Sequence, residues 1–226
     1  MLKMGKRQFS ACVVLCAMLA LVLAACSDAA LFGLIKSRSK SQAVARQTLV
    51  IFPFDKDPDA AASVPDEFGQ SVAEYLRTTL ATSKGYAVLI YDDGLMPIKR
   101  AVEWDHVLKE PDATAPFFAD KAKADKLADI LATDYYLVGS VESYTYDKDK
   151  KAVDLALKAD LVLAKTGKVI QEFMVGGSAS AGTQAMDEDE LCSIAAGKAV
   201  EALGEKILST SAADTKAVPQ PPVAKK

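Results

Sequence analysis

Between residues 48 and 209 the apolar positions of the chain switch repeatedly between two rhythms, and the switches outline one domain. "TLVIFPF" (Thr48–Phe54) is a continuous apolar run rich in branched residues, which predicts a buried strand. "SVPDEFGQSVAEYLRTTLATS" follows with helical spacing. Ser63 and Asp66 suit a capping box, and Phe68, Val72, Tyr75, Leu76, Thr79 and Leu80 share one helical face before Gly85 ends the element. "YAVLIY" (Tyr86–Tyr91) predicts a second strand. "PIKRAVEWDHVLKE" (Pro97–Glu110) predicts a short helix with Ile98, Val102 and Leu108 inward. "DKAKADKLADILATD" predicts another, with Leu127, Ile130 and Leu131 inward, and "YYLVGSVESYTY" predicts a strand.

The sharpest alternation lies in "VDLALKADLVL". Val153, Leu155, Leu157, Ala159, Leu161 and Leu163 recur at period two, with Asp154, Lys158 and Asp160 on the other side. "DKDKK" (Asp147–Lys151) and "KTGK" (Lys165–Lys168) are turns, and "VIQEFMVGGSASA" returns as a partner strand. A last helix, near 187–208, opens with "DEDE", whose charges complement a helix amino terminus. The order β-α-β-α-α-β-β-β-α predicts an α/β (α+β) domain: one mixed sheet, antiparallel in its second half, with helices packed against it.

The ends of the chain have another character. Lys3, Lys6 and Arg7 precede an almost wholly apolar run from Phe9 to Ala25, the layout of a secretory signal. Its 17 residues also reach the lower limit for a membrane-spanning helix, which needs ~20. The quartet "LAAC" (Leu23–Cys26) resembles the lipobox of bacterial lipoproteins. That resemblance implies cleavage before Cys26, a diacylglyceryl group on its thiol, and acylation, typically with palmitate, of its amine. Two acyl signals suffice for stable anchoring. The competing reading is an uncleaved signal anchor with an incidental cysteine. Ser27, rather than Asp, follows the cysteine, which by resemblance to enterobacterial sorting implies an outer-membrane lipoprotein facing the periplasm.

The resulting division is a signal peptide at 1–25, an anchor and tether at 26–47, the α/β domain at 48–209, and a Pro/Ala/Lys tail at 210–226 expected to be disordered. The tether, about 20 residues, spans roughly 70 Å when extended. Full-length net charge is −3; without the leader, which carries three cations and no acid, it is −6. That balance argues against a nucleic-acid partner. Four cysteines suggest disulfides, yet Cys12 and Cys16 leave with the signal and Cys26 is acylated. Only Cys192 remains, expected as a small buried hydrophobe.

Taken in order, "LVIFPF", "FGQSVAEYLRTTL", "ADKLADILATDYYLVGSVESY" and "VDLALKADLVLAKTGKVIQEF" are similar to an envelope lipoprotein superfamily. It comprises CsgG-like curli-secretion channels, LpoB-like activators of penicillin-binding proteins and the amino-terminal domain of TolB. The resemblance implies a non-enzymatic, lipid-anchored accessory protein acting through an envelope protein partner in assembly or secretion. The alternative it implies is a subunit of an oligomeric CsgG-like assembly. Charged Asp154, Lys158 and Asp160 on the hairpin exterior do not suit lipid-facing strands, so only a soluble homo-oligomeric ring fits.

No cofactor or catalytic set is expected. "DKDPDAAASVPD" places Asp55, Asp57, Asp59 and Asp66 at positions 1, 3, 5 and 12 of a calcium-loop template, but Ala60 stands where glycine is required, and a solvated loop is the expectation. "GSASAGTQ" (Gly177–Gln184) lacks the lysine of a phosphate loop; its glycines instead suit a strand bulge or exit. His106, the sole histidine, is expected at the surface or half-buried. Trp104 is expected in the core, with an interface anchor as the other role.

Overall fold

The computed structural model describes residues 46–58, 64, 65, 67–83, 85–182 and 185–214, all within the unit that begins at Arg46. Cys26, the signal, Ser63, Asp59, Asp66 and residues 215–226 lie outside the described residues. The elements are β1 (Gln47–Ile51), β2 (Asp55–Lys56), α1 (Phe68–Ala81), β3 (Tyr86–Ile90) and α2 (Met96–Lys99). They continue with α3 (Lys121–Ile130), β4 (Tyr135–Asp147), β5 (Ala152–Leu163), β6 (Lys168–Ser180) and α4 (Glu188–Asp214). A π-turn (Arg100–Trp104) continues α2, and a 3-10 turn (Glu110–Ala113) precedes α3.

One mixed sheet runs β3-β1-β4-β5-β6, with the short β2 also paired to β4. β1 lies parallel between β3 and β4, and β4, β5 and β6 form two long antiparallel hairpins. The chain leaves β1 through α1 to β3 on one side, then crosses back to β4 on the other. Because β-α-β crossovers are right-handed, oppositely directed crossovers put their helices on opposite faces. The packing follows that rule. α1 and α4 cover one face, burying Leu49, Ile51, Leu137 and Leu157 against Val72, Leu76 and Leu203. α2 and α3 cover the other, burying Val50, Phe52, Tyr136 and Val138 against Ile98 and Leu127.

This explains the two strand patterns. β1 is apolar at successive positions because both of its faces are buried. β5 alternates because α4 covers only one of its sides: Val153, Leu155, Leu157, Ala159 and Leu161 are buried, while Asp154 is exposed.

Four expectations need correction. Asp160 is not on a solvated exterior. It is 1% exposed, because α3 brings the Lys121 ammonium over the end of the hairpin to pair with it. Tyr75 turns away from the core and is 48% exposed. The predicted 97–110 helix ends early: the π-turn widens its last turn, so Ile98 and Leu108 are buried but Val102 only partly, and Trp104 is left 64% exposed rather than packed. Gly177 does not form a bulge. A Cβ there would stand 1.9 Å from the Ala195 carbonyl oxygen, so glycine lets α4 lie directly on β6. Gly182, at φ +56°, does serve as an exit after the strand.

The open edge of β6 is guarded by α4. The Lys198 ammonium donates to the Ser178 carbonyl at 2.8 Å and that of Lys206 to the Met174 carbonyl at 3.0 Å. Charged lysines on an edge strand discourage pairing with another chain. No helix among the described residues is long and apolar enough to cross a membrane.

Candidate functional site

α1 and α4 run side by side in the same direction over the sheet. Near their carboxyl-terminal halves they touch closely: a Cβ on Gly204 would come within 2.7 Å of the Thr79 methyl. Towards their amino-terminal ends they part and leave a cleft of about 310 Å³. Its walls are Phe68 and Val72 from α1 and Cys192 and Ala196 from α4, with Tyr144 of β4 between them. Tyr75 and Ser193 face each other at the mouth, their hydroxyl oxygens 3.5 Å apart. Glu188 and Asp189 form the acidic rim.

The first turn of α4 has a local logic. The Asp187 carboxylate accepts the Glu190 N–H at 2.9 Å and caps the helix, while the acidic first turn offsets the positive helix end. The Tyr144 hydroxyl donates to a Glu188 carboxylate oxygen at 3.0 Å. Burial, then that hydrogen bond, pushes the Tyr144 phenol well above its ordinary range, so it stays a neutral donor. Burial also pushes the Cys192 thiol up, partly offset by its hydrogen bond with Tyr144. A thiol held protonated is a poor nucleophile, and Cys192 is 7% exposed. It packs as the small buried hydrophobe expected.

A second crevice, about 260 Å³, lies beyond the carboxyl ends of β1 and β3, bordered by Pro53, Gln70, Asp92 and Asp93. Ligands of open α/β sheets collect in such places. Here the polar groups serve the backbone. Asp92 accepts the Gly94 N–H at 2.6 Å, and the Tyr91 hydroxyl donates to the Ala113 carbonyl at 2.6 Å.

The remaining candidates disperse. Asp55 turns inward, and its carboxylate accepts the N–H groups of Phe117, Phe118 and Ala119 at 3.0, 2.6 and 3.2 Å. It therefore tethers the loop before α3 and does not point into a calcium loop with Asp57. Among the described residues, no three His, Cys, Asp or Glu side chains stand together as a metal-holding group. His106 is exposed at φ +51°, with Nδ1 3.1 Å from the Val102 carbonyl oxygen. Sequence reasoning missed Tyr144 and Glu188 as partners. The only signal was "DEDE", read as a complement to the helix end.

No protein-family model matches the chain, and no curated protein matches it. Among solved structures, a PelC dodecamer from Paraburkholderia phytofirmans shares 16% identity over 73% of this chain and 87% of that chain, with a TM-score of 0.44. The lipoprotein GNA1162 from Neisseria meningitidis shares 17% over 72% and 99%, TM-score 0.41. The C-terminal domain of LpoB from Escherichia coli shares 16% over 57% and 81%, TM-score 0.41. These are partial likenesses of fold, and no chemistry or partner is carried from them.

Proposed function

We propose that this chain is a lipid-anchored, non-enzymatic binding protein of the bacterial cell envelope, acting through a protein partner in envelope assembly or secretion. The observation that carries the reading is the lipobox-like "LAAC" ending at Cys26 behind a cationic, apolar leader. The described domain is consistent with it. The cleft between α1 and α4 is lined by a neutral phenol and a protonated thiol, groups suited to contact rather than to bond-making. The outer membrane, with the domain facing the periplasm, is the address that Ser27 after the cysteine favours by resemblance to enterobacterial sorting.

Replacing Cys26 with Ala tests the address. The expected outcome is loss of the acyl groups and release of the chain from the membrane fraction. An unchanged mature mass and membrane partition would overturn it. Crosslinking in intact cells tests the role: a repeatable envelope protein adduct is expected, and none across several crosslinkers would contradict it.

A further inference from the structure

We propose that the α1–α4 cleft binds a protein segment presenting a bulky apolar side chain next to a lysine or arginine. This rests on the binding-protein reading and names the chemistry of its partner. The volume, about 310 Å³, lies at the small end of ligand sites. It suits one or two anchoring side chains rather than a cofactor. Phe68, Val72, Ala196 and the ring of Tyr144 supply apolar walls. Anchors of this kind, seated in a desolvated pocket, carry most of the energy in protein interfaces.

The rim fixes the sign of the flanking charge. Among the described residues, no lysine, arginine or histidine lines the cleft, whereas Glu188 and Asp189 do. The two helix amino termini there contribute roughly +0.5 each, less than two full carboxylates. The mouth is therefore net negative. A cation beside the anchor meets Asp189 and the ring of Tyr75, which is 48% exposed and open to cation–π contact. An anionic headgroup or nucleic acid meets the same carboxylates and is repelled. A bare inorganic cation meets an apolar floor.

The test uses the full acylated chain in nanodiscs and the labelled peptide Gly-Ser-Lys-Phe-Leu-Lys-Ser-Gly. Two controls replace its lysines with glutamates or its Phe-Leu pair with alanines. The parent peptide is expected to bind in a salt-dependent way, with each control at least tenfold weaker. Asp189→Lys and Ser193→Trp are each expected to weaken binding at least tenfold with melting unchanged, since Ser193 is exposed and Asp189 lies on the rim. Failure of the parent peptide to bind at millimolar concentration, or binding indifferent to Ser193→Trp, overturns the inference.

A photocrosslinker placed at Tyr75 in living cells, with Lys165 and Glu172 as remote positions, separates the two readings. Adducts at 75 that vanish with Asp189→Lys support the cleft. Adducts confined to the remote positions sink the cleft and leave the binding-protein reading standing. Adducts nowhere remove both.

Discussion

The two ends of the α1–α4 pair are built from different kinds of residue and behave differently. At one end glycine allows close approach: Gly204 admits the Thr79 methyl. At the other, Phe68, Tyr75 and Tyr144 hold the helices apart over a cleft. The closed end is optimised for packing. The open end leaves Tyr75 exposed and Tyr144 half-buried beside acidic groups, an arrangement that adds little to stability and offers contact surface. Small residues at the crossing, and aromatics beyond it, set where the pair closes and where it opens.

The largest expected effect lifts α4 off β6, on the sheet side of the cleft's helix. Gly177→Ala places a methyl 1.9 Å from backbone that cannot swing aside. Overpacking of this sort costs roughly 3 kcal/mol, read as a lower urea midpoint. A disturbance on the opposite face gives the next value. Lys121→Met leaves the buried Asp160 carboxylate without its ammonium. Breaking a buried pair costs about 3–5 kcal/mol, but the Lys121 side chain is 42% exposed, so a loss of about 2 kcal/mol is expected, largely recovered by adding Asp160→Asn. The cleft is indifferent to Lys121→Met if it is a separate, functional feature, and peptide binding per folded molecule stays the same; Gly177→Ala, which presses on Ala195 and Ala199 beside cleft-lining Ala196, weakens it.

Alkali tests the same opposite face more gently. Burial, then the nearby charges of Asp125 and Asp160, pushes the Tyr136 phenol from its ordinary 10.0 up to about 12. The folded state holds the proton that the unfolded chain releases. Its contribution is therefore complete below pH 10 and is lost as pH rises towards 12, by at most about 1.4 kcal/mol per unit. Denaturant midpoints should fall over that window, less steeply in Tyr136→Phe. The smallest effect is expected at the helix crossing itself. Gly204→Ala meets side chains alone, the Thr79 methyl at 2.7 Å with Leu76 in ordinary contact, and the gain in helix propensity, about 1 kcal/mol, offsets the crowding. Stability within about 0.5 kcal/mol of the parent is the expected outcome by urea unfolding.

The elements were legible where the pattern is local. Val153 to Leu161 alternate because only one face of β5 is covered by a helix, and Thr48–Phe54 run apolar because both faces are buried. What escaped the sequence depends on distant partners. Asp160 looks like an exterior residue at period two, and only the return of α3 buries it beneath Lys121. Trp104 and Val102 were placed by a 3.6-residue turn, and the π-turn shifts them outward. Tyr75 falls on the apolar stripe of α1 but looks into the gap where α4 has parted from it. The cleft draws on α1, β4 and α4, three separated stretches, so no local pattern announces it.

The anchor precedes everything else in the account, and intact-mass spectrometry of the chain purified from membranes of its native host tests it most directly. The expected result is a polypeptide beginning at Cys26 and carrying a diacylglyceryl thioether with an acylated amine. A chain that retains Met1 and an unmodified Cys26 thiol would contradict it.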